Sequence, residues 1–169
     1  MCLIGLAAVL LVSPAWGKVF LTQDEALKMA FPGESDVKRE TAYLTEEQVA
    51  AVEKLCQGKL DTRVVAYYTG RAGTAYFDTH LVRTLPETVM VLVTPAGSIG
   101  RIDILSFSEP EDYLPRSRWM EQFPGKPLND DLSLKKAIRP MTGATLSAKA
   151  ILACSRRVLA LHQVLRAKP

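Results

Sequence analysis

The sequence predicts an α+β domain in which a mostly antiparallel sheet of about four or five strands is flanked by helices. Four runs rich in β-branched and aromatic residues follow one another between residues 62 and 107, and only short turns separate them. Parallel strands need long crossover connections, so these short turns imply antiparallel pairing. Amphipathic helical patterns lie before and after the runs, and the longest of them is near the C-terminus.

The composition is that of one globular domain. Of the 169 residues, 48% are hydrophobic and 23% are charged, which is enough apolar material for a single core. The net charge of +3 is small and is spread along the sequence without a dense block of lysine or arginine. We therefore expect no nucleic-acid partner.

The N-terminal stretch predicts export. Residues 2–16 are uncharged and mostly apolar, about the length of a signal-peptide core and too short for a typical spanning helix. Ala15 and Gly17 are small residues in the positions expected before a cleavage site. We predict residues 1–17 to be a signal peptide, with a retained anchor as the alternative, and residues 18–169 to form one domain. The protein would then lie in the periplasm or on the outer face of the cytoplasmic membrane.

Two capping boxes predict where the first helices begin. Thr22 with Glu25, and Thr45 with Gln48, have the spacing in which each side chain bonds the other residue's backbone amide. Both helices should end at glycine-containing stops, which are Pro32-Gly33 after the first and Gly58 after the second. Residues 37–44, between the two helices, are a candidate fifth strand.

The four main strands are predicted at residues 63–68, 74–83, 88–93 and 99–107. Glycine and proline punctuate the intervals between them, and Pro95-Ala96-Gly97 has the composition of a hairpin loop.

The C-terminal third predicts a loop and two helices. An acidic, proline-bounded loop ends the sheet, and a short helix should follow it through Trp119 and Phe123. The last helix is predicted over residues 146–166, with one apolar stripe facing the sheet. The stripe consists of Ile151, Cys154, Val158, Leu161 and Leu165. Arg156 and Arg157 lie more than two turns beyond the helix start, and we expect both to be solvated.

The segment Met-Thr-Gly-Ala-Thr-Leu-Ser-Ala at residues 141–148 leads into this last helix. A glycine-containing turn that opens a helix presents free backbone amides and the positive end of the helix dipole, which together suit a phosphate. Gly143 and Ala144 leave room for a phosphoryl group to reach the backbone. Thr145 places a hydroxyl beside it, as a ligand or, if activated, as a nucleophile. The alternative is that the segment is an ordinary helix cap.

Other polar residues of this segment are also candidates for binding the phosphate. Thr142 and Ser147 lie within one turn of Thr145, so their hydroxyls or amides can bond phosphate oxygens. Lys149 either adds a positive charge or faces water.

Thr142-Gly143-Ala144-Thr145 followed by Ser147 resembles the Ser/Thr-Gly-Ala-Thr motif of the FMN-binding domain family. That family includes the flavin-carrying subunits of sodium-translocating NADH:quinone oxidoreductase and of the Rnf complex, and small exported proteins. The resemblance extends over residues 79–88 and 107–114. It implies an FMN cofactor joined to Thr145 by a phosphoester, which a magnesium-dependent flavin transferase installs with FAD as the FMN donor. Arg139 stands where many members of the family have aspartate.

The resemblance also implies a role. The protein would be an exported electron carrier rather than a stand-alone enzyme, and its unknown redox donor and acceptor would include a membrane electron-transfer complex. One alternative is a non-covalent FMN-binding sensor or assembly module, which the arginine in place of aspartate favours. The other is a periplasmic structural domain without a cofactor.

Arg83 and His80 are further candidates with two interpretations each. We predict that they lie on one strand and face opposite sides of the sheet. A cation near the N1/C2 carbonyl edge of the flavin ring stabilises the reduced, anionic flavin. Otherwise, Arg83 pairs with a carboxylate and His80 is a half-buried structural residue.

The remaining candidates are aromatic, acidic and sulfur-containing residues. Tyr113 and Trp119 either stack on the flavin ring or cover the core. The acidic loop is expected to be a solvated turn, and its members are Glu109, Glu111 and Asp112. Cys56 and Cys154 either form a disulfide or are buried thiols. No cysteine and histidine spacing typical of a metal site is present in the sequence.

Overall fold

The computed structural model describes residues 17–167, which form the predicted α+β fold. A six-stranded antiparallel sheet has the strand order β1-β6-β5-β4-β3-β2. The strands are β1 (Lys18–Val19), β2 (Lys38–Tyr43), β3 (Val64–Gly70), β4 (Gly73–Leu81), β5 (Pro86–Val93) and β6 (Ile99–Phe107). The helices are α1 (Gln23–Ala30), α2 (Glu46–Cys56), α3 (Ser117–Met120) and α4 (Thr145–Arg166), and a 3-10 turn covers Glu111–Tyr113.

The sheet has one strand more than the prediction of four or five. The additional strand is β1, which pairs over only two residues with the end of β6. A strand of two residues is too short to show an alternation of apolar and polar side chains, so the sequence does not indicate it. Its position is set by its pairing with β6.

Both faces of the sheet are covered. In β5, Val89 and Val91 point into the core beneath α2 and α4, whereas Met90 and Leu92 point into the smaller core beneath α1. The sheet is therefore the middle layer of the domain. This explains why β5 is a nearly continuous apolar run rather than an alternating one.

Both capping boxes are present. The Thr22 hydroxyl accepts from the Glu25 amide at 3.2 Å, and the Glu25 carboxylate accepts from the Thr22 amide at 2.8 Å. Thr45 and Gln48 make the same reciprocal pair at 3.2 and 3.0 Å. Each box satisfies two helix-end groups and so fixes where its helix begins.

The predicted end of α2 is wrong by one residue. Gln57, not Gly58, takes the left-handed backbone conformation there, with φ of 58°. A glycine next to the cap did not decide the geometry, because a polar residue also tolerates this conformation at a modest cost.

The stripe predicted on α4 is confirmed, but the buried surface of the helix is wider than the stripe. Arg156 is only 8% exposed, so its predicted solvation is wrong. Its guanidinium donates to the carbonyls of Cys56 at 3.2 Å and Leu55 at 3.3 Å, which end α2. It also donates to the carbonyls of Asn129 at 2.9 Å and Leu132 at 3.1 Å. The last carbonyls of a helix lack intrahelical donors, and this side chain supplies them.

Residues 1–16, which carry almost all of the predicted signal peptide, lie outside the described residues. That assignment therefore stays a prediction. Within residues 17–167, none of the helices has both the length and the apolar character that crossing a bilayer requires.

Candidate functional site

A cavity of about 240 Å³ lies at the N-terminal end of α4, and we call it the α4 cavity. Its lining comes from three separate parts of the chain: Val82 and Arg83, then Glu109 and Tyr113, then residues 143–147. These parts belong to the stretches at 79–88, 107–114 and 141–148 that the sequence analysis set apart. The fold brings all three together at one place.

The turn before α4 is shaped by its backbone. Gly143 has φ of +83°, a conformation that L-residues rarely adopt, and a Cβ added there would meet no atom within 4 Å. The glycine is therefore required for the chain path and leaves open space above it. The N-cap residue is Ala144, which has no side-chain oxygen and makes no side-chain cap hydrogen bond. Neither threonine of the motif is the helix cap.

Thr145 is the first residue of α4, and its side chain is exposed at the cavity. The first amides of the helix have no intrahelical acceptor, and α4 has no side-chain cap to provide one. A hydroxyl, free amides and the positive end of a 22-residue helix dipole thus coincide. This combination suits a bound phosphate.

Ser147 has a structural contact. Its side chain is fully buried, and its hydroxyl donates to the Tyr113 carbonyl at 2.6 Å. The bond holds the 3-10 turn against the first turn of α4, so Ser147 shapes the cavity from behind. Because its hydroxyl proton is used in this bond, Ser147 can offer a phosphate its backbone amide but not its hydroxyl proton. Lys149 is exposed.

The opposite wall is fixed by a buried carboxylate. Glu109 is 8% exposed and accepts from the amides of Thr84 at 2.7 Å and Leu85 at 2.9 Å. These donors, with the Thr84 amide first, lower the pKa of Glu109. The expectation of a solvated acidic turn is therefore wrong for Glu109, because the β4–β5 turn depends on it. It holds for Glu111 and Asp112, which are exposed.

Arg83 lies in the β4–β5 turn rather than on a strand, because β4 ends at Leu81. Its side chain is exposed and lines the α4 cavity. It forms no ion pair within the part of the chain that the structure describes. The cavity therefore has a cation available for an incoming anion.

Two exposed apolar side chains line the cavity. Tyr113 and Leu146 are 37% and 47% exposed. Of the two roles that the sequence leaves open for Trp119, the structure shows the covering of the core. Trp119 is buried, packs edge-on against Phe123, and so covers the core.

The structure does not bring Thr142 into the lining of the α4 cavity. Thr142 borders a neighbouring open groove together with Arg139 and other basic residues. The backbone of Arg139 is held on both sides, since its carbonyl accepts from Trp119 Nε1 at 2.7 Å and its amide donates to Gln122 at 2.8 Å. Its side chain is exposed.

A second group of charged side chains lies between the sheet and α4, and we call it the ionic cluster. Arg157 donates to both oxygens of Asp78, at 2.7 and 2.8 Å, so its predicted solvation is also wrong. The His80 ring lies between two carboxylates, with Nδ1 at 2.8 Å from Asp78 and Nε2 at 3.2 Å from Glu87. His80 is half-buried, which agrees with the structural interpretation.

The protonation of the ionic cluster follows from these contacts. Burial opposes charge on His80, but the bonds to Asp78 and Glu87 outweigh it and raise the pKa of His80 to about 9. Burial likewise opposes charge on Asp78, and the bonds from His80 and Arg157 hold its pKa well below the usual range. The cluster therefore pairs two cations with carboxylates.

Sequence reasoning missed this cluster, although part of the signal is local. Asp78 and His80 are two apart on β4 and so share a face, but Glu87 joins them only because it pairs with His80 in the β4–β5 register. Cys154, from α4, is a buried free thiol beside Asp78 and His80. Cys56 is also buried and free, so the disulfide alternative is not what the structure shows.

Comparison of the chain with protein-family models, with curated proteins and with solved structures finds no match.

Proposed function

We propose that this protein is an exported FMN-binding electron carrier whose FMN is joined to Thr145 by a phosphoester. The observation that carries the proposal is the convergence on the α4 cavity. Three stretches that are far apart in sequence line one cavity in the fold, and two of them, residues 79–88 and 107–114, were singled out by resemblance alone. A chance likeness of four motif residues would not require the other two stretches to lie there.

The phosphate is assigned to the first turn of α4. Thr145 supplies the oxygen of the ester bond, the first amides of the helix neutralise the phosphate oxygens, and Gly143 leaves the approach open. Because the N-cap is Ala144, the interpretation of this motif as an ordinary threonine cap has no support in the structure.

The flavin ring is assigned to the mouth of the cavity. About 240 Å³ is below the range of about 300–1,000 Å³ that encloses a whole drug-sized ligand. The cavity therefore suits the phosphate and part of the ribityl chain, and the ring lies over the exposed apolar side chains of Tyr113 and Leu146. A covalent tether compensates for this incomplete enclosure.

The bound flavin accepts one or two electrons and passes them on, which is the chemistry that the protein itself lacks. The residues of the chain position and tune it. Arg83 places a positive charge beside the site, which favours the reduced, anionic form. Glu109 holds the turn that carries Arg83, and Ser147 holds the turn that carries Tyr113.

The partners in this proposal are a flavin transferase that uses FAD, followed by an unknown donor and acceptor of a membrane electron-transfer complex. The second candidate is reversible FMN binding in a sensor or assembly module. It is favoured by Arg139, whose exposed side chain replaces an acidic residue next to the motif.

The test is the intact mass of the mature protein, co-expressed with a flavin transferase in an exporting host. We expect a mass increase of one esterified FMN that survives denaturation. Thr145→Ala should abolish it, while Thr142→Ala, which removes another exposed hydroxyl of the same motif, should retain it. A yellow native protein of unmodified mass would select reversible binding. An unmodified, colourless protein would refute the flavin proposal.

A further inference from the structure

We propose that Asp78, His80 and Cys154 form a binding site for a divalent transition-metal ion, with Zn²⁺ the ion that the donors fit best. The three residues offer a carboxylate oxygen, an imidazole nitrogen and a sulfur. This mixture of ligands is typical of zinc sites and unlike the all-oxygen sites of calcium or magnesium. The site is separate from the flavin proposal and does not depend on it.

The ligand atoms are already close together. They all lie within 4.8 Å of one another. Zinc ligands lie about 2.0–2.3 Å from the ion, which puts them about 3.3–3.8 Å from one another in a tetrahedral site. The three side chains therefore have to shift within the cluster to reach these distances. Two come from the rigid β4 strand and the third from α4, so the scaffold positions them.

His80 and Asp78 share a hydrogen bond in the metal-free protein. Nδ1 of His80 lies 2.8 Å from Oδ1 of Asp78, so these two atoms have to move apart for an ion to take the place of the proton between them. The other ring nitrogen, Nε2, lies 3.2 Å from Glu87. A metal-bound histidine commonly donates its second N–H to a carboxylate, which orients the ring, and Glu87 is placed to accept it.

Glu87 supplies an observation that is independent of the three ligands. Its side chain is fully buried, and its Oε1 has no hydrogen-bond partner among the described residues. A buried carboxylate oxygen without a donor is costly, and such an atom in a native protein calls for an explanation. The unpaired oxygen belongs to the carboxylate that contacts the proposed ligand His80.

Arg157 is a further partner of the proposed ligand Asp78. Arg157 keeps its bonds to Asp78 from the other side and orients that ligand.

The test uses the mature chain, reduced and freed of metal with a chelator, then titrated with cobalt chloride. We expect one cobalt ion per chain and a sulfur-to-cobalt charge-transfer band in the near ultraviolet. Cys154→Ser should abolish the band and weaken cobalt binding by about tenfold or more. Cys56→Ser is the matched control, because Cys56 is the other buried free thiol of the described chain and lies outside the site.

One measurement needs no variant, in case a substitution in this buried cluster prevents folding. X-ray absorption of the wild-type cobalt complex should show one sulfur among nitrogen and oxygen ligands. A cobalt complex with only nitrogen and oxygen ligands overturns the proposal, and so does the absence of stoichiometric binding. Equal loss of the band in both cysteine variants also overturns it.

Discussion

His162 should make the folded protein less stable as the pH falls from about 7 to about 4. Its ring is only 4% exposed, shares a 3.1 Å hydrogen bond with the Tyr76 hydroxyl through Nδ1, and leaves Nε2 without a partner among the described residues. Adding a proton would place a charge in this buried position and near Arg166. Burial, and then the charge of Arg166, lower the pKa of His162 to about 4.

The magnitude follows from proton linkage. An unfolded chain has a histidine pKa of 6.5, so it takes up a proton in a range where the folded chain does not. The stability is fully present above pH 6.5 and is lost as the pH falls toward 4. A difference of about 2.5 pKa units corresponds to a total loss of about 3 kcal/mol. About 2 kcal/mol of this should be lost between about pH 7 and pH 4.5.

The assay is denaturant unfolding at a series of pH values, with a chelator present, for the wild type and His162→Gln. Glutamine keeps a hydrogen-bonding group near Tyr76 but does not titrate, and the carboxylates common to both proteins cancel in the difference. We expect the wild type to lose stability relative to the variant as the pH falls. The only other histidine, His80, has a raised pKa and acts with the opposite sign, so its contribution is present below pH 6.5 and is lost as the pH rises from 6.5 toward about 9.

A difference between the two proteins that stays flat from about pH 7 to about pH 4.5 would refute this reasoning. It would mean that His162 is charged in the folded state, or that water reaches Nε2.

Three further predictions concern the scaffold and the cavity. Arg156→Met should lower the free energy of unfolding by about 3 kcal/mol, measured with denaturant, because buried carbonyls lose their donors. Gly73→Ala should cost at least about 2 kcal/mol, since its φ is +140° and a Cβ would collide with a backbone carbonyl. Gly97→Ala, at φ of +79° but in open space, should cost only about 1 kcal/mol in the same assay, and equal costs would contradict the steric argument. Arg83→Gln should retain the mass increase of one FMN and should lower the midpoint potential of the flavin in a spectroelectrochemical titration. An unchanged potential would place the cation away from the ring.

The sequence predicted those features whose causes are local. Each capping box needs residues only three apart, so the starts of α1 and α2 could be identified from Thr22 and Thr45. The strands followed from their residue types and from glycine and proline between them. The motif was located at the start of α4 because glycine in a turn before an amphipathic pattern marks a helix boundary.

The features that were missed depend on contacts between distant elements. A single apolar stripe describes a helix with one partner, but α4 packs on the sheet and on α2, and its buried arc therefore includes Ser155, Arg156 and His162. Arginine side chains are usually exposed to solvent, so Arg156 was expected to be exposed. The sequence does not show that the carbonyls at the end of α2 lie beside Arg156 and need hydrogen-bond donors. The ionic cluster required the register of β4 against β5, which no local pattern specifies.

The direction of α4 has a practical consequence for attaching the protein to surfaces, dyes or fusion partners. Thr145 and Arg166 mark opposite ends of the helix, about 32 Å apart at about 1.5 Å per residue. Lys18, in contrast, is bonded at 2.8 Å to Glu111 in the 3-10 turn that carries Tyr113. A linker joined near Arg166 leaves the mouth of the α4 cavity facing away from an electrode or a bead, whereas one joined near Lys18 crowds it. The end chosen for immobilisation therefore sets the distance between the surface and the α4 cavity.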